Sequence, residues 1–201
     1  MNLDLNSILS ALTLLPMWEV IAMILGIAYI ILIAKESLWG WVFGFFSTLI
    51  YTILFWEGAL VSSSFLNFYY MIMAGYGYYS WNNVEEDKKL SITTYPLSKN
   101  IKIIVIGVIL TIIMGYLSST YSHAQHAYMD AFVMVFSIIA TWLLTQKILE
   151  NWLYWLLIDM VAIVLYWKSG YLVTVLLFGV YIILGVFGFM AWRREFKENS
   201  L

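Results

Sequence analysis

The segment Asn151-Trp152-Leu153-Tyr154-Trp155-Leu156-Leu157-Ile158-Asp159 carries the residues best suited to chemistry in this chain. On a helix, positions 152, 155 and 159 share a face, following the i, i+3, i+7 spacing. That face presents two indoles and then a carboxylate about one turn deeper. A stacking surface beside a negative charge suits a flat, cationic ring, held by stacking and cation–π attraction. A charged side chain inside an apolar span costs at least a few kcal/mol and usually faces a cavity or the bundle interior. Asp159 is the one acid that falls well inside a span. The structural alternative is that the tryptophans belong to an interfacial belt and Asp159 caps a neighbouring helix. A second pair, Asn67 and Tyr70 in Asn67-Phe68-Tyr69-Tyr70, shares another helix face. An amide in a membrane must find partners, either on a ligand or on an adjacent helix.

Other chemistries find no support. His123 and His126 stand at i, i+3 with Asp130 following, but no third strong ligand of fixed geometry accompanies them, so no metal is expected. With no cysteine there is no thiolate site, disulfide or cysteine nucleophile. Neither a serine triad nor a phosphate-binding loop, a zinc-protease motif or a catalytic carboxylate pair occurs. The chain reads as a non-enzyme without cofactors. Its net charge of -2 offers no field for nucleic acid.

The elements that must position these residues follow from hydropathy. Of the 201 residues 63% are hydrophobic and only 11% charged, against roughly 25% charged in soluble domains. A bilayer core of about 30 Å needs about 20 apolar residues in helix. Runs of that kind fall near 16–34, 38–56, 60–81, 101–120, 129–147, 151–167 and 171–192, which makes an all-α integral membrane protein of seven transmembrane helices. No positive n-region precedes the first run, so it is read as retained rather than as a signal peptide. Residues 82–100, with Glu85, Glu86, Asp87, Lys88, Lys89 and Lys99, form the linker and are read as a solvated cytoplasmic loop. An N-terminus outside places Lys35, Lys88, Lys89, Lys99, Lys102, Lys147, Arg193, Arg194 and Lys197 on the cytoplasmic side and leaves only Lys168 outside. That bias gives an outside N-terminus and a cytoplasmic C-terminus.

A shift of 111 residues superposes Trp41 on Trp152, Trp56 on Trp167, Tyr70 on Tyr181, Gly77 on Gly188 and Trp81 on Trp192. The organisation expected is an N-terminal segment 1–15, a three-helix bundle 16–81, the linker 82–100, a connecting span 101–120, a second three-helix bundle 129–192 and a tail 193–201. This is a 3+1+3 parallel repeat, a transporter plan with the substrate site between the halves. Trp41, as the counterpart of Trp152, joins Trp152, Trp155, Asp159, Asn67 and Tyr70 as a candidate substrate-binding residue. The halves differ in polarity: Thr48 stands opposite Asp159 and Phe178 opposite Asn67. A single asymmetric small molecule between them accounts for this.

The stretch Asp130…Ser137…Glu150-Asn151-Trp152-Leu153-Tyr154-Trp155, with its WxxW, resembles the PnuC-type vitamin transporters, as do Asn67-xx-Tyr70 and the ending Tyr76-Gly77-Tyr78-Tyr79-Ser80-Trp81. The resemblance covers roughly residues 16–195. It implies a fold like the SWEET sugar transporters, often trimeric, in the bacterial cell (inner) membrane. It also implies passive uptake of an unphosphorylated vitamin, best known as nicotinamide riboside, which a cytoplasmic kinase then traps; thiamine-transporting relatives exist. By motif, Trp152 and Trp155 would stack on or enclose the substrate, and Asn67 and Tyr70 would orient it. The second NxxY motif of some members is absent, and the Lys35–Trp41 loop departs from the nicotinamide riboside pattern. The reading from another class is a non-transporting membrane sensor or assembly subunit.

Overall fold

The computed structural model describes residues 15–58, 61–83, 90–122 and 125–199. The acidic and basic run 85–89, His123 and nearly all of the N-terminal segment therefore lie outside the described residues. Seven long helices follow in order: α1 (Met17–Ala34), α2 (Leu38–Glu57), α3 (Val61–Asn82), α4 (Leu97–Leu117, continued by a π-helical turn Ser118–Ser122), α5 (Ala127–Thr145), α6 (Asn151–Ser169) and α7 (Leu172–Glu198). Helices satisfy every backbone group internally, which an apolar surrounding demands.

Six of the seven are long and apolar enough to cross a membrane. The exception is α3. Its 22 residues reach about 33 Å at 1.5 Å per residue, long enough to span, but serines, Asn67 and a run of tyrosines hold down its hydropathy. α7 runs on to Glu198, through the first residues of the expected tail 193–201.

Helices pack as α1 on α2, α2 on α3, α5 on α6 and α6 on α7, with α1 meeting α7 and α3 meeting α5. The fourth helix docks on α5 through a stripe of small buried residues, Gly107, Thr111 and Gly115. A Cβ at Gly107 would lie 2.8 Å from the Phe136 ring, and one at Gly115 would lie 2.5 Å from Tyr128. Close approach of this kind is how helices associate where water supplies no drive. Ile104, Ile109 and Ile113 on α4 are exposed, as lipid-facing positions are.

The core at one end of the bundle, called here the linker end, is a layer of four tryptophans. Trp41 meets Trp81 edge-on at 5.1 Å, Trp152 meets Trp192 edge-on at 5.6 Å, and Trp81 joins Trp192 at 6.0 Å. The Trp81 indole N–H donates to the Thr145 carbonyl and that of Trp192 to the Ile33 carbonyl, each at 3.2 Å.

Part of the linker is not solvated. Ile92 is buried and joins the tryptophan core, while Thr93 pairs in parallel with Ile148. The Thr93 N–H donates to the Lys147 carbonyl, the Leu149 N–H donates to Thr93, and both Glu150 carboxylate oxygens accept from the Tyr95 N–H at 3.1 and 3.2 Å. The segment 90–95 is a loop docked at Ile92, Thr93 and Tyr95, because the backbone groups of Thr93 and Tyr95 find partners on the α5–α6 turn rather than in water. Glu150→Ala is expected to cost about 1 kcal/mol and to speed limited proteolysis between residues 90 and 96; an unchanged cleavage rate would show that the strap does not depend on this carboxylate.

Helix ends show where special backbone is needed. α6 closes on Gly170 at φ +83°, with the Tyr171 N–H reaching back to Tyr166: a Schellman motif with glycine in the left-handed position. α1 and α5 end in the same hydrogen-bond pattern, Ser37 N–H to Leu32 and Ile148 N–H to Leu143, but their left-handed residues are Glu36 at φ +53° and Lys147 at φ +51°. Non-glycine residues held there cost on the order of 1–3 kcal/mol each.

Candidate functional site

α6 delivers its predicted residues to two levels of the bundle. Trp152, 4% exposed, lies in the tryptophan layer with its ring against Gly188, where a Cβ would come within 2.5 Å. Trp41 is seated in the same way on Gly77, at 2.6 Å. The indole N–H groups of both are buried without a hydrogen-bond partner among the described residues, as is the side-chain oxygen of Asn151. Trp155, one turn on, is half-buried and turned toward α3, its ring 6.4 Å from that of Tyr70 at 56°. Asp159 follows, 4% exposed, and among the described residues its carboxylate has no hydrogen bond or ion pair.

The structure therefore brings Trp155 and Tyr70 together, with Asp159 next along α6. It sets Trp41 and Trp152 apart in the layer toward the linker end. Asn67 spends an amide N–H on the Ser63 carbonyl of its own helix at 2.9 Å, a partner different from both the ligand and the neighbouring helix considered for it; its side-chain oxygen accepts nothing among the described residues.

Around this group runs a set of hydroxyls that spacing did not single out. The Tyr70 hydroxyl contacts Ser137 of α5 and is in electrostatic reach of Tyr29, Tyr69 and Tyr166. Tyr181 of α7 is in electrostatic reach of Asp159 and Tyr51. Its hydroxyl is packed over Gly26, whose Cβ would lie 3.3 Å from both that hydroxyl and the Ser47 Oγ. Ser47 itself donates to the Ala22 carbonyl at 2.8 Å. The signal available for Tyr181 was its position 111 residues after Tyr70. Nothing in its local sequence pointed to Asp159.

Such a constellation can hold a flat polar molecule: two aromatic rings from different helices, an uncompensated carboxylate, and hydroxyls able to donate or accept. It holds no catalytic arrangement of nucleophile and base among the described residues. Likewise no group of three His, Cys, Asp or Glu that could bind a metal occurs among them; His126 sits at the start of α5 with Asp130 in the first turn.

Comparison with known proteins agrees with this architecture. The model of the family "Nicotinamide mononucleotide transporter" matches residues 16–194. The chain is 28% identical over 186 residues to the riboflavin/roseoflavin transporter RibM of Streptomyces davaonensis, covering 90% of this chain and 87% of that protein. It is 23% identical over 208 residues to the nicotinamide riboside transporter PnuC of Escherichia coli, with the same coverage. The crystal structure of the vitamin B3 transporter PnuC superposes with a TM-score of 0.73 over 90% of this chain and 82% of the other, at 19% identity, which establishes the fold. With a family model spanning nearly its whole length and a matching helical bundle, the chain belongs to the nicotinamide mononucleotide transporter family, the PnuC-type vitamin transporters, and is a multi-pass membrane protein.

Proposed function

We propose that this transporter mediates facilitated uptake of an unphosphorylated B-vitamin with a cationic aromatic ring, nicotinamide riboside first among them. One observation carries the reading: Asp159 is buried, has no partner among the described residues, and stands one turn beyond Trp155, whose ring meets that of Tyr70. A carboxylate in that position is costly unless a cation meets it, and a pyridinium supplies both the charge and the stacking face. The same charge argument favours a nucleoside over a nucleotide. Among the described residues every Lys and Arg lies at or near an end of a span, and Lys147 is already paired with Glu36, so a phosphate at this level would find no cationic partner among them.

In this reading Trp155 and Tyr70 flank the ring, Asp159 faces its charge, and Asn67 offers a free carbonyl oxygen to the sugar. Trp152 and Trp41 close the linker end of the site, their unspent indole N–H groups available as donors. The two three-helix units, residues 16–81 and 129–192, form a parallel repeat joined by α4, the linker end is cytoplasmic, the assembly is a homotrimer, and a cytoplasmic kinase traps the product. Thiamine, also a cation with flat rings, is the same-class alternative. The similarity to RibM favours a second reading, in which the ligand is a neutral isoalloxazine and Asp159 serves as a hydrogen-bond acceptor.

Calorimetry on the purified protein in detergent, with nicotinamide riboside, thiamine and riboflavin, separates these. One vitamin is expected to bind at micromolar affinity or tighter, about -8 kcal/mol, and Trp155→Ala is expected to lose about 1 kcal/mol of it through lost stacking. Binding by none of the three would sink the substrate class. Binding without flux into proteoliposomes would favour the sensor reading.

A further inference from the structure

We infer that Glu36 and Lys147 form an ionic latch that holds the linker end of the bundle closed, and that the substrate leaves by that end only when the latch parts. This rests on the transporter reading for its purpose, but not for its geometry. The two residues are 111 positions apart, at the Schellman ends of α1 and α5. Glycine is the ordinary occupant of that left-handed position, and this chain uses it at the end of α6. In the two places where the α1–α2 and α5–α6 turns face one another, a glutamate and a lysine stand instead, and they pair with each other. Backbone strain accepted at two facing turns in favour of opposite charges marks those charges as functional.

The pair is well shielded, with side chains 10% exposed for Lys147 and 27% for Glu36. The Lys147 ammonium also stands over the Trp81 ring at 4.6 Å. Its backbone is fixed from behind, since the Thr93 N–H of the linker strap donates to its carbonyl. No comparable strap holds Glu36 among the described residues. Lys147 is thus the half anchored by the strap, and the α1–α2 turn the half without one. The indole bonds from Trp81 to Thr145 and from Trp192 to Ile33 bridge α3 to α5 and α7 to α1 at this same end. At the opposite end, among the described residues, no ion pair joins α1, α2 or α3 to α5, α6 or α7. The conformation described is therefore the one closed at the linker end.

Removing one partner leaves the other charge buried, and the cheapest relief is to rehydrate it by opening the turn. Glu36→Gln strands the more buried Lys147, so it should open the end further than Lys147→Met, which strands the more exposed Glu36. The chain has no native cysteine, so spin labels can be placed at Trp39→Cys and Leu153→Cys, exposed positions near the starts of α2 and α6, and the distance between them measured by pulsed electron resonance. The parent should give one short population. Glu36→Gln should add a population longer by several ångströms and make it the major one, Lys147→Met a smaller one, and the exchange Glu36→Lys with Lys147→Glu should restore the short distance. Glu36→Gly with Lys147→Gly guards against misfolding, because glycine suits both left-handed positions: it should keep the fold and still open. If the short population persists in Glu36→Gln and in the double glycine variant, there is no latch. The distances need no substrate, so failure of the vitamin reading would leave this result standing, and vitamin binding with unmoved distances would sink the latch alone.

Discussion

Asp159→Asn is expected to weaken binding of a positively charged vitamin by about 2 kcal/mol or more, a factor of about 30, while leaving a neutral flavin nearly unaffected. The carboxylate is almost fully buried, lacks an ion pair among the described residues, and lies beyond Trp155 on the inward face of α6. In the empty protein that charge is a liability, and neutralising it removes a desolvation cost. Thermal stability of Asp159→Asn should therefore hold steady or rise even as cation affinity falls. The opposite pairing, lower stability with unchanged affinity, would return Asp159 to a structural role. Transport adds a second discrimination. Flux down a vitamin gradient in proteoliposomes should persist when the proton gradient is collapsed; if it stops, Asp159 acts as a proton relay instead.

The reach of sequence reasoning differed by interaction type. Long apolar runs announce helices because the bilayer leaves the backbone no alternative, and all seven appear. α3 was read as an apolar run like the others, although its tyrosines and serines keep its hydropathy below that of the other six. The 111-residue offset paired Trp41 with Trp152 and Gly77 with Gly188, but an offset compares residue types and not neighbours, so the seating of each ring on its glycine came only with the structure. The latch pair stands at the same offset yet escaped notice, because superposition rewards identical residues and Glu36 and Lys147 are opposites. The docking of Ile92 and Thr93 was hidden by the charged run before them. Asn67 illustrates another limit: whether an amide turns to its own helix or to a neighbour is decided by local rotamers, not by type or spacing. Trp152 and Trp155 share a helix face in projection, but the residues they meet, Gly188 and Tyr70, belong to different helices and so separate their roles.

Gly188→Ala and Gly77→Ala should each destabilise the protein by about 3 kcal/mol, the largest stability losses expected from so small a change. A Cβ at Gly188 would stand 2.5 Å from the Trp152 ring, and one at Gly77 2.6 Å from the Trp41 ring. Neither ring has room to retreat. Trp152 is met edge-on by Trp192 and Trp41 by Trp81, and those two partners are themselves tied to backbone carbonyls on α1 and α5. A methyl added at either glycine must therefore move a helix rather than a side chain. Gly75 and Gly179 provide the controls, because a Cβ at either meets nothing within 4 Å; alanine there should be neutral or stabilise by up to about 1 kcal/mol through helix propensity. Thermal unfolding in detergent reads all four. Adding Trp152→Leu to Gly188→Ala should recover part of the loss, since the smaller side chain vacates the space the methyl needs, and the size of that recovery measures the contact itself. Equal stability of the Gly188 and Gly179 variants would mean that the tryptophan layer is softer than its geometry implies, and a layer that yields so easily could not hold the linker end shut.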